Sequence, residues 1–371
     1  VARLPIETVC GDVLNATDVE RAVEGCEIIF HCAYGAALDG SLQRLVNVEG
    51  SRNIFDAGLR AQAKRIIYFS TLLVYGVTAD GDLDETAPRQ CLGNAYSDSK
   101  LESENLAFDY IRQHQLPVVI LQPTAVYGPF APQWTVQVLE KMKTGRLILI
   151  NDGEGLRNAV YVDDLVSAAV LAAVKENACG EAFLISGDAP VTWREFYRAY
   201  ERMLGVSDRL MNLSAGEARA LYLKAKKLKG VLAEMRALMA EHPDLRRRLL
   251  RTRELAFAAR SMRGLLSDGL RRRLKDQLAV RGATASGAGA VSQARPHLLD
   301  PATIRFQAAK TRVRIDKAKR ILDYRPAFGF TYGMQVTEQW ARWANLLGPT
   351  HAVLDGATLG GKLDGNELSP G

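Results

Sequence analysis

The 371-residue chain predicts an α/β protein: a doubly wound parallel sheet with a smaller C-terminal domain. Three observations predict it. Short Val/Ile/Leu-rich runs alternate with helix-period stretches through residues 1–190. The apolar runs are continuous rather than alternating, as in strands buried on both faces. With 47% hydrophobic residues, the chain can bury a sizeable core.

The elements follow in order. Ile6–Val9, Ile28–Cys32, Arg65–Phe69, Val118–Leu121 and Ala182–Ile185 read as strands. Between them Ala16–Glu24, Leu42–Ala63, Tyr96–His114 and Asp164–Val174 carry apolar residues at helical spacing. Strands joined by helices imply a parallel sheet covered on both sides, with ligands at the carboxyl ends of its strands. Residues 1–190 then form the first domain, with an excursion into the second near 130–158. Residues 191–347 form the second domain, closing with a helix over Val336–Leu347.

Charge is unevenly placed. The chain carries a net +6, yet Arg209 to Arg281 holds 19 Lys/Arg against 7 Asp/Glu. That stretch alone is +12, so the remainder is net negative. Met211 to Val280 is rich in helix formers, with apolar stripes at Val231, Leu232, Met235 and Leu238 and again at Met262, Leu266 and Leu270. A basic amphipathic insertion over 209–281 is therefore expected. It covers the second domain or docks on an anionic membrane surface; nucleic acid is the weakest partner, for want of aromatics to stack on bases. Gly282–Gln293 reads as a flexible loop, and 348–371 as a disordered tail.

Some classes are excluded. The five cysteines form no CxxC pair and the five histidines no ligand cluster, so no metal is expected. Scattered, unpaired cysteines imply reduced thiols and a cytoplasmic setting. The start does not read as a secretory leader, and no apolar run is long enough to span a membrane.

The chemistry concentrates at Tyr96-Ser97-Asp98-Ser99-Lys100. Residues four apart share a helix face, so phenol and ammonium lie close. A free tyrosine has a pKa of ~10. A neighbouring cation favours the phenolate, which makes Tyr96 a candidate general acid/base. The same spacing recurs at Tyr222 and Lys226, but only Tyr96 has the right surroundings. Before it a strand ends in Ser70-Thr71, followed by Leu72-Leu73-Val74-Tyr75-Gly76; after it another ends in Gln122-Pro123-Thr124.

Taken together, these motifs resemble the extended short-chain dehydrogenase/reductases, the NAD-dependent epimerase/dehydratase group. The likeness runs in order over residues 6–205 and again over 311–343. His31-Cys32-Ala33-Tyr34, Asn47-Val48-Glu49-Gly50-Ser51 and Arg157-Asn158-Ala159-Val160-Tyr161-Val162-Asp163-Asp164 each have a counterpart, as does the closing Asp316-Lys317-Ala318…Leu322-Asp323-Tyr324-Arg325-Pro326. The resemblance implies a Rossmann-like fold and a catalytic set of Thr71, Tyr96 and Lys100. It implies cofactor contacts, to NAD or NADP, from Asp12, Val13, Ala33, Asn47, Ser70, Tyr96, Lys100 and Pro123. It assigns Thr124 and Arg157 to the substrate, Arg157 through a phosphate, and suggests a homodimer.

The glycine-rich phosphate loop of this group, with the strands around it, has no counterpart in the sequence. The chain thus reads as lacking the start of its cofactor-binding fold. An R-x-G-D element is also missing; Lys310-Thr311-Arg312-Val313-Arg314-Ile315-Asp316 stands in its place. That ending is closer to the 3β-hydroxysteroid dehydrogenase and dihydroflavonol reductase branch.

The expected activity is that of an NAD(P)-dependent oxidoreductase, epimerase or dehydratase on a hydroxyl or keto group of a small molecule. A nucleotide sugar is the first substrate reading. An apolar compound met by a peripheral protein at a membrane surface is the second. A non-catalytic binding or scaffold role is the reading from another class.

Overall fold

The computed structural model describes residues 6–35, 39–76, 79–227 and 296–347. Its centre is a four-stranded parallel sheet in the order β1 (Ile28–His31), β2 (Arg65–Phe69), β4 (Val118–Pro123), β9 (Ala182–Ile185). Ile66, Ile67, Val118, Val119, Ile120 and Leu121 are all wholly buried. That explains why β2 and β4 show no alternation: both of their faces are covered.

On one face lie α1 (Ala16–Val23), α2 (Gly40–Arg60) and α3 (Ala95–His114). Val23, Phe55, Ile66, Tyr68 and Ile120 share their core. On the other lies α5 (Val162–Val174), whose Ala168, Ala169, Ala172 and Ala173 pack on Ile67 and Val119. Small side chains allow this helix to sit close to the strands. Arg65 crosses beneath it and donates from Nη1 to the carbonyls of Ala172 and Lys175, at 3.1 and 2.7 Å. These are end carbonyls of α5, where a cation also meets the negative end of the helix dipole.

Short strands build the rest. β3 (Gly81–Leu83) pairs with β13 (Thr311–Val313), and β5 (Ala125–Tyr127) with β8 (Ala159–Tyr161). β6 (Arg146–Ile150) follows α4 (Gln137–Thr144) and takes β11 (Leu210–Leu213) and β12 (Pro296–His297) as partners. β7 (Leu156–Arg157) pairs with β10 (Val191–Thr192), which leads into α6 (Trp193–Leu204). A Thr192/Glu195 capping box starts that helix. A second core gathers Tyr127, Leu139, Tyr161, Trp193, Phe196 and Met334.

Four expectations change. Ile6–Val9 is not a strand; Ile6 and Val9 are exposed and unpaired. A strand needs a partner for its backbone groups, and none lies beside it among the described residues. The basic stretch begins not as helix but as strand, since Met211–Leu213 extend β11 along Ile148–Ile150; residues 215–227 are helical. Its further apolar stripes, the glycine-rich loop and the tail lie outside the described residues. The 191–347 domain is interrupted: Val313, Ile315, Ala318, Leu322 and Tyr324 return to the core of the main sheet. Finally, the last helix spans Phe330–Trp343 rather than Val336–Leu347.

Candidate active site

Strand β2 ends at Phe69, and the chain turns at Ser70-Thr71 into a short 3₁₀ segment, Leu72–Tyr75. Thr71 starts the turn, accepting from the Leu73 amide at 3.3 Å. Gly76 ends it at φ +76, where a Cβ would lie 2.7 Å from Gln90 Cγ. Helix α3 begins opposite, with Asn94 capping Ser97 N at 3.0 Å. Its first turn brings Tyr96 near the Thr71 hydroxyl, which favours the phenolate. The Tyr34 ring from the loop after β1 closes over Tyr96, with centroids 6.3 Å apart.

Lys100 is one turn further along the helix and buried. Its ammonium donates to the carbonyl of Phe69 and lies 4.5 Å from the centre of the Tyr68 ring. Burial draws its pKa down to about 7, against the opposing influence of Glu104 and Cys32. Tyr96 goes the other way: burial pushes its phenol up, and the nearby Thr71 hydroxyl offsets part of the rise. The lowering of Tyr96 expected from the i,i+4 spacing is therefore absent in this arrangement. Lys100 is turned toward the end of β2, and near neutrality its charge is partial.

Asn47 locks the other side. Its Oδ1 accepts from the Gly35 amide at 2.9 Å and its Nδ2 donates to Ser99 Oγ at 2.8 Å. Its carbonyl accepts from Ser51 and Ser103 hydroxyls at 2.6 and 2.8 Å. One residue thus joins the β1 loop, α2 and α3. Gly35 fits there because a Cβ would lie 2.8 Å from Gln43 Cα. His31 hydrogen-bonds Ser51 Oγ at 2.9 Å, and burial, with Lys100 nearby, draws its pKa down to about 3. It is a neutral packed residue.

The remaining expected residues scatter more. Ala33 is exposed in the loop after β1, and Pro123 is half-buried at the end of β4. Thr124 is buried and donates to Ser186 Oγ at 3.2 Å. Ser70 points away from Thr71's partner and into the core, donating to Glu104 at 2.5 Å. Asp12 shapes a turn, accepting from Leu14 N at 2.9 Å, and Val13 packs on Gly50 of α2.

Arg157 differs most from expectation. It is 2% exposed, with its guanidinium 3.6 Å from the Trp134 ring centre and 4.3 Å from Trp193. Phe196 and Phe306 lie farther out, and Nε and Nη2 have no hydrogen-bond partner. Burial lowers its pKa to about 9.

Sequence reasoning missed Glu104. It is wholly buried on the face that carries Tyr96 and Lys100, four residues beyond the latter. The helix-face argument that linked Tyr96 to Lys100 reaches Glu104 if carried one turn further. Among the described residues no His/Cys/Asp/Glu group could hold a metal, and no helix is long and apolar enough to cross a membrane.

A parallel sheet whose strand end presents Thr71 to a tyrosine–lysine helix defines a class of nicotinamide-dependent enzymes. Residues 2–186 match the NAD dependent epimerase/dehydratase family, and the chain belongs to it. It is 29% identical to a 2-alkyl-3-oxoalkanoate reductase of Shewanella oneidensis, over 51% of this chain and 53% of that one. It is 34% identical to the human dTDP-D-glucose 4,6-dehydratase, over 47% and 52% respectively. The chain thus spans about half the length of these relatives. An epimerase structure from Methanothermobacter thermautotrophicus superposes with a TM-score of 0.61 at 17% identity, covering 92% of this chain and 80% of that one.

Proposed function

We propose that this protein moves a proton at a substrate hydroxyl or keto oxygen while a bound NAD or NADP exchanges hydride with the adjoining carbon. The carrying observation is the placing of Thr71, at the end of β2, beside the Tyr96 turn of α3, with Lys100 sunk behind them on Phe69 O. The Thr71 hydroxyl fixes the reacting oxygen beside Tyr96. Tyr96, its pKa raised, is protonated near neutrality and delivers a proton to a carbonyl oxygen. In the oxidative direction a charged Lys100 assists loss of that proton.

The residues present fit one end of the cofactor. An ammonium has three donors, and that of Lys100 uses one on Phe69 O, which leaves two for a ribose hydroxyl. Pro123 and the Ala33 loop flank the same strand ends. No glycine-rich strand-to-helix turn for the pyrophosphate occurs among the described residues.

The sheet itself supports where one belongs. Among the described residues β1 pairs only with β2, and its other edge is open. Ile28 and Phe30, 39% and 45% exposed, point to the α5 side, as their register partners Arg65 and Ile67 do. Val166, Val170 and Val174 run exposed along α5. The reading is that a further parallel strand pairs with β1 and the helix after it roofs this apolar corner, carrying the phosphate turn between them.

For the substrate, the phosphate role expected of Arg157 needs an open guanidinium, and aromatic rings enclose this one. That observation favours an apolar hydroxy or keto compound over a nucleotide sugar. Two measurements test the proposal. Calorimetric titration of NAD into residues 1–371 should show only weak binding; micromolar affinity would rule out the need for another strand. In protein that binds NAD, reduction of a 2-alkyl-3-oxoalkanoate should exceed turnover of dTDP-glucose, and the reverse ratio restores the sugar reading.

A further inference from the structure

Glu104 has four hydrogen bonds and no access to solvent. Ser70 Oγ donates at 2.5 Å, Arg89 Nη1 at 3.0 Å, and Gln122 Nε2 at 3.0 and 3.1 Å to its two oxygens. Tyr75 Oη holds Gln122 in turn, at 2.8 Å. A carboxylate buried this deeply is tolerated only when its charge and lone pairs are met. Here each partner sits on a segment of the site. Ser70 lies between Phe69, which accepts from Lys100, and Thr71, which meets Tyr96. Gln122 adjoins Pro123, and Arg89 comes from the loop leading into α3.

We propose that Glu104 is a positioning residue: it clamps the Thr71 strand end to the Tyr96–Lys100 helix and is the counter-charge that favours the protonated form of the buried Lys100. The second half follows from the surroundings. The groups facing Lys100 are Glu104 on its own helix, His31 at the end of β1, Cys32 just after it, and Tyr68 of β2. His31 is neutral, and burial pushes both Tyr68 and Cys32 up and so keeps them protonated. Of the groups that favour a charged Lys100, Glu104 leads and Cys32 follows. Arg89, the only cation bonded to Glu104 among the described residues, lies on its outer side and is one-third exposed. It draws on the same carboxylate and so weakens the field at Lys100.

The inference rests on the assignment of Tyr96 and Lys100 but is read without turnover. Lysine labelled with carbon-13 at Cε reports the titration of Lys100, assigned by its loss in Lys100→Met. Wild-type Lys100 should titrate near 7. In Glu104→Gln it should titrate about one unit lower, as for loss of one nearby opposite charge. In Arg89→Met, a change at a one-third-exposed side chain that leaves the Ser70 and Gln122 bonds to Glu104, it should move the opposite way. Ser70→Ala should slow turnover while leaving the Lys100 titration in place, which separates clamp from charge. A merely structural Glu104 would lower the melting temperature and shift neither titration. Unmoved Lys100 in both Glu104→Gln and Arg89→Met overturns the proposal, and Arg89→Met decides alone if Glu104→Gln does not fold. Normal turnover in Tyr96→Phe would instead sink the catalytic reading and leave the Lys100–Glu104 coupling standing.

Discussion

Lys100 and Arg157 are both buried cations, both sit on motifs that the sequence singled out, and both have pKa values lowered by burial. Their surroundings differ. Lys100 has Glu104 one turn away, a backbone carbonyl in contact, and the Thr71–Tyr96 pair beside it at the end of a parallel strand. Arg157 has aromatic rings and two unsatisfied donors. A cation set against polar partners at a strand end can change its charge usefully. One packed between indoles holds two elements together: β7 carries Arg157, and α6 carries Trp193 and Phe196. Depth of burial and motif membership do not separate the two cases; the partners do.

The sharpest way to test the first half is Tyr96→Phe. The substitution keeps the ring against Tyr34 and removes only the hydroxyl. In protein that binds NAD, turnover should fall by about 10²- to 10⁴-fold, the usual contribution of a positioned proton donor. Turnover within a few-fold of wild type would remove Tyr96 from the chemistry.

The second half is tested at Arg157. Arg157→Ala leaves a cavity among Trp134, Trp193 and Phe196 and should cost about 3 kcal/mol, as for other large-to-small changes in a core. Arg157→Met refills much of the space without the charge and should recover most of that loss, because it also removes two unmet donors. Thermal unfolding of the three proteins gives the ranking. If Arg157→Met is as stable as wild type yet loses affinity for dTDP-glucose, Arg157 holds a phosphate and the contrast with Lys100 fails.

How much of this was legible in the sequence follows from the same contrast. The four strands of the sheet were readable because each is a short, continuous apolar run, and β2, β4 and β9 are buried on both faces. The Tyr96–Lys100 helix was readable because a helix face is a fixed spacing. What spacing cannot tell is which way a long side chain turns. Lys100 was expected to face Tyr96 and instead meets Phe69 O, because the strand end offers an acceptor in a dry place. Arg157 was expected to meet substrate, but Trp134, Trp193 and Phe306 come from distant parts of the chain, and no local pattern joins them. Ile6–Val9 has a strand's composition, yet composition does not supply a neighbour. Met211–Leu213 has a helix's composition and pairs with β6 because that edge was free.

The smallest expected effect is on stability against pH, and it isolates Lys100. Its folded pKa, about 7, lies below the ordinary 10.5. Between those values the unfolded chain binds the proton and the folded chain releases it. Stability therefore rises with pH in this window, by at most about 1.4 kcal/mol per pH unit for one group. Below 7 both states are protonated and Lys100 adds no slope. Other groups limit the upper end. Cys32, raised from 9.0, and the buried tyrosines, raised from 10.0, make stability fall again once the unfolded chain loses those protons. The clean interval is thus between pH 7 and 9. Chemical denaturation across it should give a rising stability for the wild type and a flatter line for Lys100→Met. Arg157→Met should keep the wild-type slope, because a guanidinium with a pKa of about 9 stays charged through most of the interval. Equal slopes in wild type and Lys100→Met would mean that Lys100 titrates near its ordinary value, and the two buried cations would no longer differ in kind.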